Sequence, residues 1–188
     1  MSENPHYFIA IPIPFKMQTK LRLWQDFVKE RLRYKHWVHP EDFHITLKFL
    51  GPVSSGIRSV INELTILERL PAFTLTIGNI GFFGQRSRPR VLWVHVEQTR
   101  HLSSLQKLVE KQMVHLGFAK EKRSFRPHIT LAKRWIGHSD QTAVNDIQDH
   151  FQQLHTLLAV NEIMLYRIFP KQTPKYKVVH RFKLQEER

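Results

Sequence analysis

The sequence predicts an α+β chain of two related lobes within one domain spanning residues 1–188. Three observations predict it. Short apolar runs of strand length alternate with longer stretches whose apolar residues recur at helical spacing. That order of elements occurs twice, at a single offset of 84 residues. No linker or low-complexity stretch divides the chain.

Segment 6–12, His-Tyr-Phe-Ile-Ala-Ile-Pro, reads as a buried strand closed by proline. Over 18–35, Leu21, Trp24, Phe27, Val28 and Leu32 form a helical stripe, with Lys20, Arg22, Lys29, Arg31, Arg33 and Lys35 on the other face. A strand over 43–50 is expected to stop at Gly51-Pro52. Ser54 or Ser55 is expected to cap a helix reaching about residue 70, burying Ile57, Val60, Ile61, Leu64 and Leu67. Phe73, Leu75 and Ile77 alternate with polar residues in a half-buried strand over 73–79. Residues 81–90, Gly-Phe-Phe-Gly-Gln-Arg-Ser-Arg-Pro-Arg, read as a Gly-rich basic loop.

The order then repeats. Strand 91–96 leads into a helix over 99–116, capped by Thr99, lined by Leu102, Leu105, Leu108, Val109 and Leu116, and ended by Gly117. Pro127 starts a strand over 128–134, and Val144, Ile147 and Phe151 mark a helix near 139–153. Strands at about 162–169 and 177–184 close the chain. A shift of 84 carries strand 7–12 onto 91–96, helix 18–35 onto 102–119 and helix 54–70 onto 138–154. Strand 73–79 moves to 157–163 and only grazes its expected counterpart. The repeat halves are thus about 6–80 and 90–165, with an extra C-terminal strand at about 177–184. So long a period fits duplication inside one fold, not a solenoid.

Composition narrows the function. Lys and Arg number 29 against 16 Asp and Glu, a net charge of +13, so the surface attracts polyanions: RNA, DNA or phosphorylated metabolites. With no cysteine, thiolate nucleophiles, Cys-ligated zinc and iron–sulfur clusters are excluded. No run approaches the roughly 18 apolar residues of a membrane helix, and the N-terminus lacks a signal-peptide pattern. A cytoplasmic protein, acting as a monomer and away from membranes, is expected.

The two halves also share a local sequence: Phe43-His44-Ile45-Thr46-Leu47-Lys48 and Pro127-His128-Ile129-Thr130-Leu131-Ala132-Lys133. On a strand, side chains alternate faces. Each copy therefore turns one imidazole and one hydroxyl the same way, about 7 Å apart at their Cα atoms. A hydroxyl donates to a phosphate oxygen, and an imidazole exchanges protons near neutral pH. Two such strands related by a pseudo-two-fold can flank one phosphorus, one His serving the incoming water and the other the leaving oxygen. A single His-x-Thr is ordinary strand detail; two copies at equivalent points of a repeat are not. His36, His39, His95, His101, His115, His138, His150, His155 and His180 show no such pattern, and no Asp/Glu/His spacing suggests a catalytic metal. Lys48, Arg126, Lys133 and Arg134 flank the motifs and offer charge to a phosphate. By pleat parity Arg134 shares the histidine face, and Lys133 points away unless the strand bulges. Phe49, Phe82, Phe83 and Trp135 are alternatives for stacking on a base or for packing in the core.

The motifs inside "FHITLKFLG" and "FRPHITLAKRW" resemble those of the two-histidine (HxTx) phosphoesterase superfamily, in its RNA 2′,3′-cyclic phosphodiesterase branch, also termed LigT-like or 2′-5′ RNA ligase-like. The resemblance extends to "YFIAIPIP", "RVLWVHV" and the closing "VNEIMLYRIF" and "YKVVHRFKL". It implies a bilobal LigT-like fold, with two antiparallel-rich sheets lining a central cleft and helices outside. It implies hydrolysis of an RNA 2′,3′-cyclic phosphate to a 2′-phosphate without metal or other cofactor, and a weak reverse reaction joining RNA ends through a 2′-5′ bond. His44, Thr46, His128 and Thr130 fall on the family's catalytic positions, with His44 the proton donor and His128 the proton acceptor. Phe49 falls where the family often carries a cleft aromatic. Lys133 falls where many members carry arginine, a departure that keeps the charge and loses the bidentate fork. Two rivals stand beside this reading: a phosphodiesterase for another substrate, such as a 2′-5′ oligonucleotide or cyclic nucleotide, and a non-catalytic RNA-binding module.

Overall fold

The computed structural model describes residues 4–85, 88–137 and 141–186. Arg86, Ser87 and His138 lie outside the described residues. The elements run β1 (His6–Pro12), α1 (Phe15–Lys29), β2 (Tyr34–Trp37), β3 (His44–Pro52), α2 (Ile57–Leu64), β4 (Phe73–Gln85), β5 (Arg88–Val96), α3 (Arg100–His115), β6 (His128–Trp135), α4 (Gln141–Phe151), β7 (His155–Val160), β8 (Glu162–Ile168) and β9 (Tyr176–Lys183).

The class is α+β. The strands pair antiparallel in the order β7-β4-β5-β6-β3-β1-β8-β9, with β2 against β6. The two sheets expected for the fold are the halves β7-β4-β5-β6 and β3-β1-β8-β9. Among the described residues β3 and β6 meet at one pair, Ile45 with Ile129, so hydrogen bonding joins the halves into a nine-stranded sheet. Among the described residues the four α-helices pack on one face: Leu21 and Val28, Val60 and Leu64, Leu105 and Val109, and Ile147 and Phe151 share a core with Ile9, Ile45, Val94 and Ile129. The other face carries a smaller cluster of Phe8, Ala10, Met164 and Tyr166. At about 25 cal/mol per Å² of apolar surface, the helix side supplies most of the stabilisation, and the opposite face is left for polar groups. Among the described residues no helix is long and apolar enough to cross a membrane.

Several expected boundaries move. The first helix spans 15–29, not 18–35. Beyond the Ile45–Ile129 pair, β3 and β6 diverge, and the edge of β6 is taken by Tyr34–Trp37, with Tyr34 opposite Trp135 and His36 opposite Lys133. That long-range pairing overrides the helical periodicity, although Leu32 stays buried. The second helix is capped by Gly56 in the left-handed region (φ 84°), not by Ser54 or Ser55, and passes into a 3-10 turn over 65–69. Thr99 caps α3 as expected, its Oγ1 accepting from the Leu102 N–H at 3.2 Å. The expected loop over 81–90 is largely the continuation of β4 and β5 as a hairpin. An unexpected strand, β7, completes the edge beside β4.

One irregularity positions the site. Between β1 and β3 the register slips: Ile9 pairs with Lys48 but Ala10 with Thr46. Between β5 and β6 it slips likewise: Leu92 pairs with Ala132 but Trp93 with Thr130. The extra residues are Leu47 and Leu131, 84 positions apart, and each bulge inverts the pleat beyond it.

Candidate active site

His44 and Thr46 on β3, and His128 and Thr130 on β6, all lie on the face away from the helices, where their intervening isoleucines and leucines are buried. Extending the Ile45–Ile129 pair by one residue each way sets His44 across from Thr130, and Thr46 across from His128. The four side chains occupy the seam where the half-sheets part. Among the described residues, neither threonine hydroxyl hydrogen-bonds to another protein group.

Each imidazole is oriented by the carbonyl two residues earlier. His44 Nδ1 lies 2.7 Å from the Asp42 oxygen, and His128 Nδ1 lies 2.7 Å from the Arg126 oxygen. A carbonyl only accepts, so both Nδ1 atoms carry hydrogen and both Nε2 atoms are left to exchange protons. Burial holds His44 down to about 4 from the ordinary 6.5; the charges of Lys133 and His128 add to this, and the Asp42 hydrogen bond works against it. Burial also lowers His128, with Lys133 adding and the Arg126 carbonyl opposing.

Aromatic rings wall both histidines. Phe8 lies 4.7 Å, Tyr176 5.2 Å and Tyr166 6.4 Å from the His44 ring. Phe83 lies 5.1 Å and Trp93 6.1 Å from His128. Trp93 lies across Gly81, where a Cβ would come within 2.3 Å of the indole, so any side chain there would have to displace the ring. Burial raises both Tyr166 and Tyr176, which keeps the phenols protonated as donors.

The flanking residues divide. Lys48 does not reach the site: the bulge at Leu47 turns it to the helix side, where Nζ donates to Glu110 Oε1 at 2.9 Å and to the Ala119 carbonyl at 2.6 Å. The same bulge returns Phe49 to the histidine face, opposite Phe8, where it is exposed and 6.1 Å from His6. The bulge at Leu131 keeps Lys133 from pointing away; its charge acts on both histidines, and burial lowers its own pKa. Arg134 adopts φ 62° and lines one cavity together with Lys133. Arg126 contributes its carbonyl to His128, while its side chain is exposed. Phe83 reaches the site, whereas Phe82 and Trp135 pack against the core.

Asp42 was not among the expected site residues. Its buried carboxylate accepts from the backbone N–H groups of Lys175 (3.0 and 2.9 Å) and Tyr176 (3.0 Å). One residue thus orients His44 through its carbonyl and seats Tyr176 through its side chain. Phe8, Trp93, Tyr166 and Tyr176 were missed as well. Their only sequence signal was membership of the strands flanking the motifs.

The 2′-5′ RNA ligase superfamily model matches residues 19–168. The chain is 33% identical over 186 residues to an RNA 2′,3′-cyclic phosphodiesterase of Geobacillus stearothermophilus, covering 97% of this chain and 58% of that protein. It is 33% identical over 184 residues to that of Bacillus subtilis (strain 168), covering 96% of this chain and 97% of that protein. The crystal structure of Escherichia coli LigT complexed with 3′-AMP aligns with a TM-score of 0.72 at 26% identity, covering 97% of this chain and 99% of that one. The chain belongs to the 2′-5′ RNA ligase superfamily, in which these curated relatives are RNA 2′,3′-cyclic phosphodiesterases.

Proposed function

We propose that this enzyme hydrolyses RNA 2′,3′-cyclic phosphate ends to 2′-phosphates, with His44 and His128 as an acid–base pair. One observation carries the reading: two equivalent histidines, each tied at Nδ1 to a carbonyl, leave their Nε2 atoms over one seam between two unengaged threonine hydroxyls. A cyclic phosphate seated there takes hydrogen bonds from Thr46 and Thr130. His128 Nε2 accepts a proton from water as its oxygen bonds to phosphorus. The P–O3′ bond breaks, and His44 Nε2 supplies the proton to the departing 3′-oxygen. The pair starts and ends with one shared proton. The anionic phosphate favours that charged state, opposing the burial that lowers both histidines. An RNA 5′-hydroxyl in place of water would form a 2′-5′ linkage by the same displacement.

Lys133 adds charge beside the phosphate, and Phe49 and Phe83 offer rings to a base. The positive net charge and the nucleotide in the E. coli relative support an RNA substrate. The chain also reads as one bilobal domain from an internal duplication, supported by the 84-residue spacing of Ile45 and Ile129, of Leu47 and Leu131, and of the carbonyls at Asp42 and Arg126.

The test is a panel of a 2′,3′-cyclic-ended oligoribonucleotide, a 2′-5′-linked oligonucleotide and a 3′,5′-cyclic nucleotide, each with EDTA present. Only the first should be turned over, giving a 2′-phosphate. A preference for another member assigns a different substrate. Binding without turnover of any member makes the chain a binding module.

A further inference from the structure

We propose that the cavity between the β2–β6 edge and the segment entering β9 holds a second phosphate of the RNA strand, the phosphodiester next to the cyclic end. This inference rests on the reading of the seam as a cyclic phosphodiesterase site and adds the part of the substrate that a mononucleotide lacks.

The cavity is about 290 Å³, and its lining includes five basic side chains: His36, His39, Lys133, Arg134 and Lys175. Its acidic member, Asp42, has both carboxylate oxygens engaged by the backbone N–H groups of Lys175 and Tyr176. Among the described residues, none of the five basic side chains is in an ion pair. Lys133, Arg134 and Lys175 bring three cationic side chains against the one carboxylate of Asp42, and that surplus in one concavity focuses potential on an anion. The neighbours register that field: besides burial, the charges of Arg134, Lys175 and Lys35 all push His36 down.

The backbone is built toward this convergence. Arg134 holds φ 62°, in the left-handed region that a residue with a Cβ rarely adopts. The pairs Tyr34–Trp135 and His36–Lys133 clamp it on either side. On a regular strand Lys133 and Arg134 would face opposite ways; here both line one cavity. Strain of this kind persists where its surroundings hold it in place, and function is the usual reason.

Continuity with the seam fixes which phosphate is meant. Asp42 lines the cavity and orients His44; Tyr176 lines it and lies 5.2 Å from His44; Lys133 lines it and acts on both histidines. A strand whose cyclic phosphate sits between Thr46 and Thr130 would reach these cations with its adjacent phosphodiester. The volume is at the lower limit for small-molecule pockets, enough for a phosphate and part of its sugar.

The experiment compares kcat/KM for three substrates: a 2′,3′-cyclic mononucleotide, a cyclic-ended diribonucleotide, and the same dinucleotide with a neutral methylphosphonate linkage. The charged dinucleotide should be preferred by about tenfold or more, the worth of one charge-assisted contact. Methylphosphonate should abolish that preference, and His36→Ala and Lys175→Ala should shrink it. Equal kcat/KM for the charged and neutral dinucleotides, or an unchanged preference in both variants, overturns the inference while leaving the hydrolysis reading intact. If no cyclic end is turned over, that reading fails, and calorimetry with the 2′-phosphate-ended dinucleotides still tests the second site. Equal affinity for charged and neutral linkages overturns it there too. Inorganic phosphate shifting the His36 NMR signals as strongly as the dinucleotide would assign the cavity to free phosphate and overturn the strand assignment.

Discussion

Among the described residues, Ile45 with Ile129 is the one residue pair that joins β3 to β6 at the seam between the two halves of the sheet. One residue before each isoleucine stands a histidine, and one residue after it a threonine. The pair therefore fixes the relative position of all four polar side chains, while burial of both isoleucines holds the seam shut on the helix side. His44→Ala and His128→Ala should each lose about 10²–10⁴-fold in kcat on a cyclic-ended oligonucleotide, the worth of one proton transfer. Circular dichroism should show both variants folded. Near-full activity in either would reject the acid–base pair.

The pH dependence follows from the direction of both shifts. The proposed mechanism needs one imidazole charged and one neutral. In the free protein His44 is held at about 4 and His128 below 6.5. The singly protonated pair is then most populated on the acid side of 6.5, and kcat/KM should peak there and fall about tenfold per pH unit on the alkaline side. Lys133→Gln removes a charge that lowers both histidines, so the alkaline arm should move to higher pH. A profile flat from about pH 5 to 9, or an arm that Lys133→Gln shifts downward, contradicts this.

Asp42 acts through its neighbours. Asp42→Ala strips the acceptor from the Lys175 and Tyr176 N–H groups, which should cost about 1–3 kcal/mol in urea unfolding. Tyr176 would then no longer be held against His44. With less burial, the pKa of His44 should rise, carrying the acid arm of kcat/KM upward. A stability loss with an unmoved acid arm would make Asp42 structural only.

Lys48 illustrates how a motif residue can be purely architectural. Its side chain is 5% exposed and pairs with Glu110 at 14%. Lys48→Ala would leave the half-buried Glu110 carboxylate without its cation and with only the Glu121 N–H on Oε1, a loss of about 3 kcal/mol. A large drop in Tm is expected, with kcat/KM of the folded protein changing less than about threefold, since the ammonium faces α3 and not the seam. A 100-fold loss of kcat/KM at an unchanged Tm would restore it to substrate binding.

Gly81→Ala probes the wall beside His128. A Cβ there meets the Trp93 indole at 2.3 Å, so the ring must move from its stack with Phe83, now 4.9 Å between centroids. KM should rise about tenfold with a red-shifted tryptophan emission, given that base–ring stacking is worth about 1–3 kcal/mol. Unchanged emission and KM would mean the ring has room to adapt.

The parts of the site legible in the sequence were those carried by local period. His44, Thr46, His128 and Thr130 could be read from alternation within a repeated tetrapeptide, and the α+β order from apolar spacing. What could not be read depends on pairing between distant segments. Tyr34 and Lys35 fall at the end of the expected helix but lie in a strand against β6, and residues 81–85 pair with residues 88–93 across β4 and β5. Lys48, expected beside the substrate, lies on the helix side, and parity turned Lys133 away unless the strand bulged; both depend on bulges, and a bulge is a property of two strands together. Asp42 has no counterpart in the second half, where position 126 is arginine, so comparing the halves could not single it out.

The bulges at Leu47 and Leu131 each take up one residue more than a regular pleat would hold. Deleting either leucine would straighten the strand without turning what lies beyond: Lys48 would take the inward place of Leu47 with Phe49 still outward, and Ala132 that of Leu131 with Lys133 still outward. Single-codon deletions at these two leucines should therefore leave the chemistry of the cleft wall in place, a tolerance that point-mutation libraries never sample.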